Sequence, residues 1–479
     1  MNSLYEKYFN KPSIRDARKR RSSDTPRFSY QPQSHLGALG AGKTYMIKTY
    51  GCQGNEADTE TMQGILQELA FSPTEDEQSA DLIVLNTCAI RENAENRVFG
   101  EIGRLKQFKR HNPDLLLAVA GCMPQEESVV DKLLKRYPYV DLIFGTHNIH
   151  KLPYYLESAI LAKERVIEVF SEEGAIVENL PKVRDHAYKA WVNIMYGCDE
   201  FCTYCIVPYT RGKERSRQPG DVLEEVQSLA SQGYREVTLL GQNVNAYGRD
   251  FTKQDYTFAH LLEDLRRVPI DRIRFTTSHP KDLDAQTIAV LAKGGNLMPH
   301  IHLPVQSGSD AVLKKMNRHY TRETYLNCVD ALRKHIPGVS LTTDLIVGFP
   351  TETDDDFMAT LDLVKTIGFE GAFTFVFSAR EGTPAASYPD DVLAVVKKER
   401  LKTLNEIVNA GYLAGNKRFE GQTVKVLVEG QSKSDPAILA GYTPHNKLVN
   451  FSGPADLKGQ IVDVTITEAK TWFLKGRAV

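Results

Sequence analysis

No stretch of this sequence approaches the ~18 consecutive apolar residues that a membrane-spanning helix needs. The first residues, MNSLYEKYFNKPSIRDARKRRSS, lack the apolar core of a secretory signal. The expected location is the cytoplasm, with no membrane partner. Net charge is nearly absent as well: 59 basic against 61 acidic residues leave −2. That excludes a globally basic nucleic-acid binder, though not a local basic patch. Cysteines are few and odd in number, seven in 479 residues. In a large chain without an export signal a disulfide framework is not expected; metal ligation or catalysis is the better reading. The 42% hydrophobic and 25% charged composition excludes wholesale disorder, collagen and coiled-coil rods. The length predicts about three domains.

What is present divides accordingly. Residues 1–42 carry eight basic and three acidic side chains, with a dense Arg18-Lys19-Arg20-Arg21 cluster. They read as a disordered leader, or alternatively as an arm that touches phosphates. From Lys43 a pattern repeats: TYMIKTYGC, ADLIVLNTC and DLLLAVAGC are apolar, β-branched runs, each followed by a helical stretch. Continuous apolar strands alternating with helices predict a parallel α/β domain over 43–165. Each run delivers a cysteine (Cys52, Cys88, Cys122) at its carboxyl end, the edge where parallel sheets bind ligands. After a linker near 165–188, six more strand–helix units fill 184–416, with strands AWVNIMYG, EVTLLGQN, RIRFTTS, HIHLPVQS, SLTTDLIVGF and GAFTFVFS. Six units predict a partial (β/α)6 barrel. Residues 417–479 change texture: QTVKVLVEG, GYTPHNKLVNF, GQIVDVTITEA and TWFLKGRAV predict a small all-β barrel. Nine basic against six acidic residues give it +3.

The strongest chemical signal is Cys198-Asp-Glu-Phe-Cys202-Thr-Tyr-Cys205, directly after the first barrel strand. Three thiolates on one short loop can hold three irons of a [4Fe–4S] cluster and leave the fourth open. Zinc is the rival, but a structural zinc site wants four closed ligands, and no fourth Cys or His lies nearby. Cys52, Cys88 and Cys122, each readable alone as a core cysteine, should converge into a second three-thiolate site. Cys328 falls mid-helix and reads as core. Gly37-Ala-Leu-Gly-Ala-Gly42-Lys43-Thr44 matches the phosphate-loop pattern GxxxxGK[ST]. That loop needs a strand before it and a helix after it. Here a polar stretch precedes and a strand follows, so nucleotide hydrolysis is not expected.

On these residues the chain resembles the radical S-adenosylmethionine methylthiotransferases. C-x3-C-x2-C on a partial barrel marks the superfamily, and the cysteines at 52, 88 and 122 mark the methylthiotransferases within it. The blocks YGCDEFCTYCIVPYTRGKERSR, KTYGCQGNEADTE and NKLVNF point to the branch that modifies tRNA. Gly54 departs from the family pattern, where a bulkier residue is expected. The resemblance covers about 43–479, including a C-terminal barrel similar to the RNA-binding TRAM domain. It implies two [4Fe–4S] clusters and S-adenosyl-L-methionine as cofactors. Cys198, Cys202 and Cys205 would hold the cluster that binds and cleaves S-adenosylmethionine to a 5′-deoxyadenosyl radical. Cys52, Cys88 and Cys122 would hold an auxiliary cluster carrying the sulfur to be inserted. The implied reaction replaces the C2 hydrogen of N6-isopentenyladenosine, at position 37 in the tRNA anticodon loop, with a methylthio group. One S-adenosylmethionine would give the radical and a second the methyl group. An aromatic C–H is not acidic, so ordinary base catalysis cannot remove it.

Weaker candidates follow. Tyr204 would lie beside the cofactor adenine. Gln242 and Asn243 could bind its methionine end, and Ser278, Gln306 and Asp344 sit at later strand ends, where polar residues also serve as caps. Arg211, Lys213, Arg215 and Arg217 are either a solvated charge run or tRNA phosphate contacts. An electron donor of flavodoxin or ferredoxin type is implied, and the chain reads as a monomer. The rivals are a sister enzyme acting on N6-threonylcarbamoyladenosine of tRNA or on a ribosomal-protein aspartate, and a non-catalytic iron–sulfur RNA-binding protein. A basic C-terminal barrel favours RNA.

Overall fold

The computed structural model describes residues 25–89, 92–169, 175–433 and 435–479. Of the leader expected to be disordered over 1–42, residues 1–24, with the Arg18–Arg21 cluster, lie outside the described residues. The remainder is built into the fold. Arg27–Ser29 pairs in parallel with Ile176–Glu178, and Tyr30 and Leu36 are buried. The apolar positions of that segment are too widely spaced to show a period, so nothing local marks it as structured.

The first body is a six-stranded parallel sheet in the order Ser72–Pro73, Thr44–Tyr50, Leu82–Thr87, Leu116–Gly121, Leu142–Phe144 and Val166–Glu168. The three cysteine-bearing strands of the sequence are its centre. Strand Leu82–Thr87 is buried throughout. Alternation sends Leu82 and Val84 to one face, with Met62, Ile65 and Leu66 of helix Gln53–Glu68. Ile83 and Leu85 go to the other, with Val98, Ile102 and Leu105 of helix Glu92–His111. Both faces being covered explains why the strands read as unbroken apolar runs. Val166–Glu168, read from sequence as the start of a linker, is the sheet's last strand; three residues are too few to show a period.

The second body carries the six expected strands: Lys189–Asn193, Glu236–Leu240, Arg272–Thr276, His300–His302, Ser340–Val347 and Ala372–Val376. They form two parallel three-stranded ladders. An isolated parallel bridge, Ile273 to Leu297, marks the seam between them. One hydrophobic core runs from Val192 through Leu239, Phe275, Leu303 and Leu345 to Leu404. Leu404 belongs to the 24-residue helix Ala394–Lys417.

The third body is a closed five-stranded barrel in the order Thr423–Gln431, Leu439–Tyr442, Leu448–Ser452, Leu474–Ala478 and Ile461–Ala469. The run GYTPHNKLVNF, taken from sequence as one strand, is a hairpin. Thr443 N–H donates to Lys447 O at 3.0 Å, and Asn446 takes φ +60°, a value Asn tolerates. Pro444 within the run was the available signal. Guanidinium groups dock this barrel on the second body: Arg272 donates to Tyr442 O and Lys425 O at 2.8 and 3.0 Å. Arg274 donates to Thr443 O and Pro444 O at 2.7 and 2.9 Å.

Candidate active site

The register of the first sheet sets one half of the site. Tyr50 pairs with Thr87, and Thr87 with Gly121. The chain then continues into Cys88 N–H donating to Tyr50 O at 3.0 Å and Cys122 N–H donating to Thr87 O at 2.8 Å. Cys52 is the N-cap of helix Gln53–Glu68. Two fully buried asparagines lock that helix to the sheet edge: Asn55 Nδ2 donates to Thr87 O at 3.1 Å and Asn86 Nδ2 to Asn55 O at 2.7 Å. Gly121 has φ +101°, and a Cβ there would stand 2.3 Å from Thr87 O, so only glycine fits before Cys122.

Loop Cys198–Cys205 sets the other half. Gly197, at φ +74°, turns the chain so that Cys198 N–H donates to Gly212 O at 3.0 Å. Thr203 N–H donates to Met316 O at 3.0 Å, and Asn317 Nδ2 to Phe201 O at 3.0 Å. Arg318, 8% exposed, brings Nη1 to 3.4 Å from Cys202 Sγ while Nη2 donates to Pro304 O at 2.8 Å.

The electrostatics fit metal ligation. Burial pushes the Cys122 thiol up to about 11 and the Cys205 thiol to about 12. Cys198 is pushed well above its ordinary value, first by burial and then by Glu214, Cys202 and Cys205. Cys52 is held well below, first by a hydrogen bond from Cys88, against burial and with help from Arg211. Burial makes Cys122, Cys198 and Cys205 hold their protons until a cation displaces them, while Cys52 is already poised toward the thiolate. Each trio therefore suits an iron–sulfur cluster with three protein ligands.

Members of both trios line one cavity of about 1440 Å³: Cys52 and Cys88 of the first and Cys205 of the second, together with Tyr204, Gln306 and Asp344. Gln242, Asn243 and Ser278 do not line it. Gln242 is half-buried. Asn243 is 1% exposed and donates from Nδ2 to Asp282 Oδ2 at 2.6 Å. Ser278 is buried nearby in chain beside His279. A strand-end position shows that a side chain is near the mouth but not which way it points. Glu200, His279 and Asp282 cluster in the same buried region. Lys281 Nζ lies 2.6 Å from Glu200 and Arg249 Nη2 2.6 Å from Asp282, so two cations already neutralise the two carboxylates.

The phosphate-contact reading of Arg211, Arg215 and Arg217 is corrected. All three are buried, at 7%, 4% and 6% exposure. Arg217 pairs with Glu178 and Glu225, both at 2.6 Å. Burial pushes Glu225 up, but Lys182, Arg217 and Arg184 together outweigh it and hold the carboxyl below its ordinary value. Arg211 reaches Cys122 and Asp58. Burial lowers Arg215 to about 10. A run of basic letters shows charge without showing that the charges face inward. Lys213 is half-buried. Arg318 carries no local sequence signal, since it lies 116 residues from Cys202 and outside any motif. Cys328 sits on helix Arg322–His335 against the barrel core. Around Gly37–Thr44 no helix follows the turn; strand Thr44–Tyr50 does.

Three family models match the chain: the radical SAM superfamily over residues 192–364, the uncharacterized protein family UPF0004 over 44–145, and the TRAM domain over 417–479. A relative from Anoxybacillus flavithermus, a tRNA-2-methylthio-N(6)-dimethylallyladenosine synthase, is 60% identical across 99% of this chain and 91% of its own length. One of the same name from Bacillus licheniformis is 58% identical across 99% and 94%. Among solved structures, the cobalamin- and [4Fe-4S]-bound radical S-adenosylmethionine methyltransferase TsrM from Kitasatospora setae superposes with TM-score 0.52. It is 14% identical, covering 72% of this chain and 77% of that one, and shows the shared fold alone.

Proposed function

The chain belongs to the family of tRNA-2-methylthio-N(6)-dimethylallyladenosine synthases, and from that premise we propose how its own residues carry the reaction. It is a radical S-adenosylmethionine enzyme, a tRNA methylthiotransferase. Its cofactors include a [4Fe–4S] cluster and S-adenosylmethionine. Cys198, Cys202 and Cys205 hold that cluster, and Cys52, Cys88 and Cys122 hold a second. When bound, these groups and two molecules of S-adenosylmethionine supply the electron, the hydrogen-abstracting radical, the sulfur and the methyl group.

The protein's part is placement. Tyr204, Gln306 and Asp344 border the space shared by the two cysteine sets and would contact the cofactor. Phe373 and Trp472, 57% and 66% exposed, line the same cavity. They offer aromatic faces for a base drawn out of a single-stranded loop. The N6-isopentenyladenosine at position 37 of the anticodon loop fits this: it carries an apolar substituent, and a base in a single-stranded loop costs little to unstack. Lys433, Lys458, Lys475 and Arg477 of the C-terminal barrel are exposed and would meet tRNA phosphates. An electron donor of flavodoxin or ferredoxin type serves a monomer in the cytoplasm. Among the described residues no helix is long and apolar enough to cross a membrane.

The single observation that carries this reading is that one cavity is bordered by members of both cysteine sets, Cys52 and Cys88 of the first and Cys205 of the second. A sensor would need one cluster; sulfur insertion needs a sulfur carrier and a radical source within reach of the same base. The test is nucleoside mass spectrometry of tRNA from cells lacking the gene, complemented with wild type, Cys198→Ala or Cys88→Ala. Wild type should restore the methylthio group, and both variants should leave isopentenyladenosine accumulating. Restoration by either variant would overturn the assignment. Loss of the mark on threonylcarbamoyladenosine instead would select the sister class.

A further inference from the structure

Arg211 has no place in the mechanism above, yet it is the most tightly enclosed cation beside a cysteine trio. It caps the short helix Val207–Thr210, six residues after Cys205, so it issues from the barrel's own cysteine loop. Its side chain leaves that body and enters the first one. Nε lies 3.1 Å from Cys122 Sγ, and Nη2 donates to Asp58 Oδ2 at 2.9 Å. Asp58 stands on the helix that Cys52 caps. Gly54 lies in the same crowded spot: a Cβ there would be 3.3 Å from Arg211 Nη2 and 3.5 Å from Cys52 Sγ. The guanidinium thus touches two of the elements that present the trio.

We infer that Arg211 is a positioning residue for the Cys52–Cys88–Cys122 site, fixing the Cys122 sulfur through Nε and setting the electron affinity of whatever that sulfur ligates. The inference rests on the reading that this trio holds a cluster. A guanidinium N–H directed at a thiolate withdraws charge from the sulfur. Hydrogen bonds to ligand sulfurs and nearby charge are among the main determinants of cluster potential. Burial removes the water that would otherwise screen the charge. Asp58 pins the other edge of the fork and offsets part of the positive charge. The two residues should therefore push the potential in opposite directions. Arg318 stands in a comparable place at Cys202, but its contact is longer, 3.4 Å.

The test uses the full-length protein with Cys198, Cys202 and Cys205 replaced by alanine, reconstituted with iron and sulfide, so that only the Cys52–Cys88–Cys122 site can hold a cluster. Iron content and an EPR-monitored redox titration are read for Arg211, Arg211→Gln, Arg211→Lys and Asp58→Asn. With Arg211→Gln, cluster content is expected to hold. The ratio of reduced to oxidised cluster at a fixed poise should fall about tenfold, the size of a charge-assisted hydrogen bond. Arg211→Lys should recover part of that change, and Asp58→Asn should shift the ratio the other way. A purely structural role would lower iron content without opposed shifts. If Arg211→Gln fails to hold iron, Asp58→Asn decides: a raised potential supports the inference and an unchanged one overturns it. A wild-type potential in an iron-loaded Arg211→Gln also overturns it, while leaving the cluster reading intact. No cluster in the parent with Arg211 in place overturns the cluster reading itself, and the inference with it.

Discussion

A thiol enclosed in protein holds its proton more firmly than one in water, and the buried sulfurs of Cys122, Cys198 and Cys205 show the effect. Such residues are unsuited to act as free nucleophiles and well suited to bind a cation that displaces the proton. Substituting one member of a trio should therefore empty that site and spare the other. Cys202→Ala and Cys88→Ala should each lose about half of the bound iron, as expected for two clusters of equal size, and the double variant nearly all. Equal iron in Cys88→Ala and wild type would refute the second site. The placement of Cys52, Cys88 and Cys122 beyond adjacent strand ends was legible because long apolar runs mark those strands in one dimension. Arg211, Arg215 and Arg217 were not, because a solvated arginine and a buried one are the same letter. What distinguishes Arg211 and Arg217 is Asp58, Glu178 and Glu225, none of which adjoins them in the chain; Arg215 donates to Arg211 O at 3.0 Å.

Among elements, the long apolar strands were readable and the short ones were not. Leu82–Thr87 and Leu116–Gly121 bury both faces and announce themselves. Leu142–Phe144 and Val166–Glu168 have three residues each, too few for a period. The hairpin at Thr443–Lys447 is hidden in sequence because the residues on both sides of its turn are β-formers. Glycine at strand ends is where element and site meet. Gly121→Ala must accept φ +101° and a Cβ 2.3 Å from Thr87 O. That should cost about 2–4 kcal/mol, from left-handed strain and overpacking together. A lower thermal midpoint, with iron lost from the neighbouring trio before the other, is the expected result. Far from the site, Thr353 caps helix Asp354–Ile367 and shares a capping box with Asp356. Thr353→Ala should cost about 1 kcal/mol and leave iron content unchanged, a control for general destabilisation.

For the molecule as a whole, polar seams hold the bodies together. Arg184 joins Glu60 of the first body to Glu225 of the second, both at 2.7 Å. Within the third body His445 packs against Phe419, ring centroids 5.1 Å apart. Burial, then Arg418, lowers His445 to about 4 from 6.5, although Glu370 opposes. The unfolded chain takes up this proton near pH 6.5, while the folded chain resists until about 4. Its contribution is therefore complete above pH 6.5 and lost as pH falls through that window, by at most about 1.4 kcal/mol per unit. His445→Gln should flatten the acid side of the stability curve relative to wild type; superimposable curves from pH 7 to 4.5 would refute this. Charge at the surface obeys a different rule. Replacing exposed Lys458 and Arg477 by glutamine should weaken tRNA binding several-fold at low salt. The salt slope should shrink by about one for each phosphate that is no longer neutralised. Arg217→Gln should lower stability and leave that slope unchanged.

The adjacency of the strands ending at Tyr50, Thr87 and Gly121 has a last consequence. Neighbouring strands in any sheet lie about 4.8 Å apart, a constant of the peptide group rather than of the residues it bears. The sheet thus acts as a ruler whose gradations are main-chain hydrogen bonds. Substitutions on either face can drift freely so long as those bonds persist, and the spacing of the sulfurs beyond the strand ends drifts with none of them. A slip of one residue between two strands, by contrast, would carry a sulfur some ~3.3 Å along its strand and break the triangle at a stroke.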